Sequence, residues 1–318
     1  MTVIHGSPAQ ALVPAASRRT CWEYALEFKL RYPEHRASAA AIALIFGWFA
    51  IGGASAANDA GPSGERIVAL ASAGDNALIK ANAGALYRSG NEGRDWERIA
   101  LPETIARGRI AAVSIPAQSR GLLYVAGPGF GILRSADGGR SWVTKNDGLP
   151  SSEVVALSAH ADQPATAYVY VAGHGLFRSE DMGDHWRMMD AGPREKILQL
   201  VHSDMPGSMQ TGWFFAATAK GVGRSMDCFC GWRDAGGLAR AVTAVAYDPR
   251  RPAQVYAASG DRLYSSGDGG EHWSQAQAPG TAITALVVTP AGVLYAAAGE
   301  GGLFKSADHG SNWRQVGE

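Results

Sequence analysis

One octet recurs six times along this chain: SGNEGRDW at 89–96, SADGGRSW at 135–142, SEDMGDHW at 179–186, SMDCFCGW at 225–232, SGDGGEHW at 266–273 and SADHGSNW at 306–313. The template is S-x-D-x-G-x-x-W, and successive starts lie 46, 44, 46, 41 and 40 residues apart. Four fixed positions repeated at that spacing mean that one supersecondary unit is copied along the chain. A period of roughly 40–50 residues is the length of a four-stranded blade.

The residues between octets agree. Each octet follows a short β-branched or aromatic run, such as Gly175-Leu176-Phe177-Arg178, and two further strand-like stretches lie upstream of it. In the fifth repeat the strand pattern runs through Val242–Tyr247, stops at Asp248-Pro249, resumes over Val255–Ser259 and Leu263–Ser266, and restarts at Trp273. The sixth repeats it over Ile283–Thr289, Val293–Ala298, Leu303–Ser306 and Trp313–Val316. A four-stranded antiparallel sheet cannot bury both faces alone, so the copies must stack around an axis. The expectation is an all-β fold, a single six-bladed β-propeller of four-stranded antiparallel blades over residues 64–318, closed by packing the first blade on the sixth. Glycine fits this reading, with 40 of 318 residues where an average chain holds about 7%.

Within the octet the third residue, Asn91, Asp137, Asp181, Asp227, Asp268 or Asp308, is suited to accept hydrogen bonds from turn amides. Gly at the fifth position supplies positive φ; Phe229 replaces it in the fourth octet. The tryptophans, Trp96, Trp142, Trp186, Trp232, Trp273 and Trp313, open the fourth strand and offer a large ring to bury between blades. These octets resemble the Asp-box, or BNR, repeat of sialidases, sortilin-type receptors and the photosystem II assembly factor propellers of cyanobacteria and chloroplasts. The resemblance implies that the octets are structural turns on the outside of the wheel, away from any active site.

Ahead of the repeats the chain reads as an address. Residues 1–36 are an N-terminal extension ending in a basic n-region with Arg31 and Arg36, and residues 37–57 hold the apolar run AAAIALIFGWFAI followed by Ala54-Ser55-Ala56. That is the layout of a secretory signal with cutting near Ala57; the rival reading is a single uncleaved membrane anchor. Either places the propeller on the periplasmic or extracellular side. Ser17-Arg18-Arg19 is similar to a twin-arginine signal, although the apolar core begins some twenty residues later. Lys plus Arg equals Asp plus Glu at 29 each, which excludes a general electrostatic grip on nucleic acid.

A sialidase would need an arginine cluster, a Tyr with a Glu partner and an acidic Asp around the central channel, and a glycosidase in general two placed carboxylates. The strands expected to line the channel, Ile67–Ala71, Ile110–Ile115, Val154–Ala159, Ile197–Val201, Val242–Tyr247 and Ile283–Thr289, are almost wholly apolar. Arg66 and Arg109 sit only at strand starts, and the Arg-Ile-Pro motif expected of a sialidase appears as Arg66-Ile67-Val68. No catalytic residue is nominated. Arg88, Arg134, Arg178, Arg224 and Lys305 precede the octet serine in five repeats, with Ser265 in the other; they read first as a device covering each blade and bonding the next. Cys228 and Cys230 in the fourth octet have three readings: a small disulfide in an oxidising compartment, inert thiols, or a soft-metal pair. His185, His272 and His309 fall in turns of different blades, so no metal site and no cofactor is expected from them.

The turns between second and third strands carry Pro128-Gly129-Phe130, His174, Lys220, Asp261 with Arg262, and Glu300. They should share one face, and varied loops on a rigid wheel are where a propeller recognises a partner. Residues 203–211 form a second candidate contact loop. The function expected is that of an exported, non-enzymatic propeller that binds another protein, a subunit of a membrane or envelope complex, as an assembly or stability factor. The alternative is a sialidase-like protein that binds or hydrolyses a glycan.

Overall fold

The computed structural model describes residues 65–316 apart from 75, 117, 118, 120, 209–211 and 230. The N-terminal extension, the apolar segment and its cleavage site lie outside these residues. Among the described residues no helix is long and apolar enough to cross a membrane.

Among the described residues twenty-four strands form six separate antiparallel sheets of four, each running up and down in chain order. Blade 1 is Ala69–Ser72, Leu78–Ala81, Leu86–Ser89 and Glu97–Ile99. Blade 2 is Ala112–Ser114, Leu123–Gly127, Gly131–Ser135 and Val143–Thr144, after a short 3₁₀ turn at Glu103–Arg107. Blade 3 is Val154–Ala159, Ala167–Val171, Gly175–Ser179 and Arg187–Asp190; blade 4 is Ile197–Ser203, Trp213–Thr218, Gly221–Met226 and Arg233–Asp234. Blade 5 is Ala244–Asp248, Arg251–Ser259, Arg262–Ser266 and Ser274–Ala276; blade 6 is Ile283–Val288, Leu294–Ala298, Leu303–Ser306 and Arg314–Gln315. The first strand of each blade is innermost and the fourth outermost.

Several strand ends differ from those read in the sequence, and the reason is where the amides go. Ile110 donates its N–H to the Ala83 carbonyl and Val242 to that of Thr218, both in the preceding blade. Those donors are spent between blades, so the inner strands begin later, at Ala112 and Ala244. The octet tryptophans likewise precede the outer strands instead of opening them; the Trp186 amide donates to Asp147 of blade 2. The second strand of blade 5 starts at Arg251, four residues earlier than the side-chain pattern indicates. Buried Asp248 causes this, accepting from the Arg250 amide at 2.9 Å and the Arg251 guanidinium at 3.2 Å, which folds Pro249-Arg250 into a tight turn.

The core is divided into six apolar clusters, each at the junction of two neighbouring blades. The second strands supply its middle layer, and alanines such as Ala216, Ala217, Ala257, Ala258, Ala296 and Ala297, all fully buried, let the sheets approach closely. Four of these strands carry a buried tyrosine at the same place, Tyr124, Tyr168, Tyr256 and Tyr295, where blade 4 has Phe214. Burial pushes the Tyr124, Tyr256 and Tyr295 hydroxyls up to about 12. The ring closes where Leu70 and Leu78 of blade 1 pack with Ala285, Tyr295 and Leu303 of blade 6. The Thr284 hydroxyl donates across that junction to the Ile67 carbonyl at 2.7 Å. Among the described residues no strand is shared between these two blades.

Candidate functional site

The octets build one turn five times over. The serine hydroxyl donates to the third-position side chain at 2.7–3.0 Å and accepts from the fifth-position glycine amide at 2.7–2.8 Å, as in Ser135, Asp137 and Gly139. The same Asp or Asn oxygen accepts the amide of the seventh residue at 2.9–3.0 Å. The seventh side chain, Asp95, Ser141, His185, His272 or Asn312, then bonds the other atom of that group. This last contact was not legible, because four different residue types perform it. It also occupies His185 and His272 at 2.7 Å. The bonds hold Asp181 at about 2, against the upward push of burial, and the Asn312 side chain and amide hold Asp308 there too. Positive φ falls on the fourth residue as well as the fifth, with Glu92 at 63°, Met182 at 60° and His309 at 61°.

The tryptophans and the cations tie these turns to the neighbouring blades. The indole N–H of Trp142, Trp186, Trp273 and Trp313 donates to a carbonyl of the preceding blade at 2.8–3.0 Å, and that of Trp232 donates to the Asp190 carboxylate at 2.9 Å. Trp186 is buried; the other five rings are half-buried, and Lys80 lies over Trp96 with its ammonium 4.3 Å from the ring centre. Arg88, Arg134 and Arg224 reach forward to the fourth-position carbonyls of the next octet, Gly138, Met182 and Gly269, at 2.8–3.1 Å, and Lys305 pairs with Glu92. Arg178 bonds Glu180 instead. Where Ser265 replaces the cation, Arg251 reaches His309 at 2.7 Å.

The axial channel encloses about 280 Å³, and none of the described residues lining it is Arg, Lys, Asp or Glu. Most of its polar side chains are engaged between blades, while Ser72 donates to Gly74 of its own blade. Ser114 accepts from the Ala159 amide at 2.8 Å, Ser158 from His202 at 2.9 Å and Gln199 from Val245 at 2.8 Å, while Thr243 donates to Ile283 at 2.9 Å and Thr284 to Ile67 at 2.7 Å.

The exception lies at the octet end of the channel, between blades 3 and 4. His160, His202 and Asp227, each at most 2% exposed, bring one ligand atom apiece within 4.8 Å of one another. The imidazoles lie with ring centres 4.0 Å apart, and Tyr168 and Phe214 pack on His202 at 5.5 and 5.0 Å. His202 Nε2 stands 3.7 Å from Asp227 Oδ2 and has no hydrogen-bond partner among the described residues. His202 Nδ1 accepts the Ala161 amide at 3.1 Å. His160 Nδ1 is 2.8 Å from the Asp162 carboxylate and 3.2 Å from the Asp162 and Gln163 amides; burial, reinforced by His202, lowers the basicity of His160 to about 3. Closer to solvent, burial with Asp162 nearby raises the Asp204 carboxyl above its usual range, and burial with Asp204 and Asp162 nearby raises the Tyr247 hydroxyl.

Asp227 therefore stands apart from the other five octet residues. Ser225 donates to the Met226 and Gly231 carbonyls instead of to it, and positive φ falls on Phe229 at 54° and Gly231 at 127°. The Phe229 ring turns inward, 5.1 Å from Phe214. Phe229 in place of glycine, and Gly231 where the other octets carry a polar seventh residue, were the sequence signals of this cluster. Cys228 is disulfide-bonded; Cys230 lies outside the described residues.

His174, Lys220, Asp261, Arg262 and Glu300 all lie exposed on turns between second and third strands, which the topology brings to the face opposite the octets. Lys220 pairs with Glu195 at 2.6 Å. Phe130 does not join that surface, since it is buried in the blade 1–2 cluster. In the 203–211 loop Met205 is buried against blade 5, and the Trp213 indole donates to Pro206.

No family model matches this sequence, and no curated protein does. Solved structures do. YCF48 bound to D1 peptide superposes with a TM-score of 0.55 at 18% identity, over 80% of this chain and 83% of that one; YCF48 from Cyanidioschyzon merolae gives 0.53 at 17%, over 80% and 86%. The GH74 xyloglucanase from Xanthomonas campestris gives 0.55 at 20% identity, over 79% of this chain and 47% of that enzyme, so the chain spans about half the length of that structure. Identities at this level carry the propeller fold alone.

Proposed function

We propose that this chain is an exported Asp-box propeller that binds another protein, acting as an assembly or stability factor for a membrane or envelope complex. The observation that carries the reading is the channel. Among the described residues its lining offers no acid, lysine or arginine, and Ser114, Ser158, Gln199, Thr243 and Thr284 bond neighbouring blades. A site for acid and base chemistry on a glycan needs carboxylates free to act on it. Recognition then belongs to the rigidly held surface, above all the face carrying His174, Lys220, Asp261, Arg262 and Glu300. The likeness to YCF48, whose structure holds a D1 peptide, supports protein binding as a use of this architecture.

The second reading is a glycan hydrolase. It has one observation in its favour beyond the likeness to GH74 enzymes: Asp204, its carboxyl raised by burial, has a second carboxylate, Asp162, near enough to act on it. Assaying the purified protein against sialosides, aryl glycosides and xyloglucan oligosaccharides separates the two. The scaffold reading expects no turnover, together with a stoichiometric envelope subunit whose capture is weakened by Arg262→Glu at unchanged thermal stability. Turnover abolished by Asp204→Asn or Asp162→Asn overturns it.

A further inference from the structure

We propose that His160, His202 and Asp227 form a binding site for a divalent transition metal of the zinc type, set between blades 3 and 4 at the octet end of the channel. Three ligand atoms of the right chemistry converge there within 4.8 Å, on side chains almost wholly removed from water. Two imidazoles and one carboxylate suit zinc and its neighbours; calcium and magnesium prefer all-oxygen sets. Three protein ligands leave a fourth position open.

The individual contacts point the same way. His202 Nε2 is buried without a hydrogen-bond partner among the described residues, a position that is destabilising unless something satisfies it. Its 3.7 Å separation from Asp227 Oδ2 is too long for a hydrogen bond. Ligand atoms each about 2.0–2.2 Å from a shared tetrahedral ion lie a few tenths of an ångström closer than that, so this pair needs only a small contraction, and the widest pair of the set, within 4.8 Å, a larger one. Asp162, 2.8 Å from His160 Nδ1, supplies the kind of carboxylate that commonly orients a metal-bound imidazole. Three costs are visible. For Nε2 to bind the ion, His202 must give up the Ala161 amide contact at Nδ1, and His160 those of the Asp162 and Gln163 amides; the Arg178 cation also lies near enough to act on His160, although Glu180 pairs with it at 3.1 Å. The fourth octet also departs from the turn rule: its serine bonds backbone carbonyls in place of the aspartate, whose carboxylate lies beside the two imidazoles.

The test uses the purified full-length protein, stripped with a chelator and titrated with Zn²⁺ or Co²⁺ alone. The expected result is one equivalent taken up per chain, a raised melting temperature and the strong visible bands of four-coordinate Co²⁺. His202→Gln and Asp227→Asn should abolish all three. The His185→Ala/His272→Ala double variant, which removes the exposed histidine–aspartate pairs, should retain them. Absence of stoichiometric uptake, uptake that survives His202→Gln, or uptake lost with the exposed pairs would each overturn the site. If the His202 and Asp227 variants do not fold, the cobalt spectrum of the double variant decides: four-coordinate bands support the site, and weak octahedral bands or none overturn it.

Discussion

Asn91 and Asp181 do the same work in their turns, yet only one of them carries a titrating carboxylate. Asn91 accepts from the Ser89 hydroxyl and the Asp95 amide while its own amide group donates to the Asp95 carboxylate, so a neutral side chain suffices for the geometry. Asp181 is held at about 2 against an ordinary value of 3.8; burial opposes the shift, and the His185 amide, the Ser179 hydroxyl and the His185 ring produce it. The Ser141 contacts of Asp137 and the His272 contacts of Asp268 lower those carboxyls as well. A folded-state pKa below the unfolded one means that the unfolded chain takes up protons first as pH falls. The stabilisation is therefore complete above about pH 4 and is lost as pH drops toward 2. Asp181→Asn should leave stability near its original value at pH 7 and make the acid limb shallower below pH 4. Urea unfolding midpoints from pH 7 to pH 2.5 measure this, and an unchanged acid limb would count against the assignment.

At the scale of the element, the tryptophan that follows each octet turn is a joint between sheets more than a member of one. Trp186 packs in the blade 2–3 cluster and donates to Lys145 of blade 2, whereas Trp313 is half-buried and makes the equivalent bond to Gln277. Trp186→Ala should cost about 3–5 kcal/mol, the range for truncating a buried large aromatic, and Trp313→Ala clearly less, both read from denaturant unfolding; equal costs would deny the packing role. Blade number and strand content were legible because octet spacing and side-chain alternation are local signals. Strand ends were less so, since the Ile110 and Val242 amides serve the preceding blade, a use that no pattern within a repeat reveals. The His160, His202 and Asp227 cluster was harder still. Each histidine closes an inner strand of a different repeat, where alternation marks the position only as the end of an apolar run, and the irregularities were Phe229 in place of a turn glycine and Gly231 in place of a polar seventh residue. The five exposed turn residues could be placed on one face from topology alone, but Lys220's pairing with Glu195 depends on a connector that varies from blade to blade.

For the whole molecule, the six clusters give each blade contacts with its two neighbours only, so stability is close to a sum over blades and junctions. Five junctions join blades that are consecutive in the chain. The sixth, between blades 6 and 1, rests on the apolar cluster of Leu70, Leu78, Tyr295 and Leu303, on the Thr284 to Ile67 bond and on the Lys305 to Glu92 pair. Thr284→Val removes the cross-junction donor without changing the side chain's volume much. It should speed amide hydrogen exchange selectively in blades 1 and 6, leaving blades 3 and 4 as slow as before; a uniform change across all blades would show that the ring opens only by global unfolding. Closure of this ring is in effect an intramolecular association between two preformed surfaces, governed by the effective concentration that the intervening four blades impose. A rigid, correctly curved set of middle blades keeps that concentration high. Any distortion of the middle blades is felt first as loosening at a junction far from where it arises.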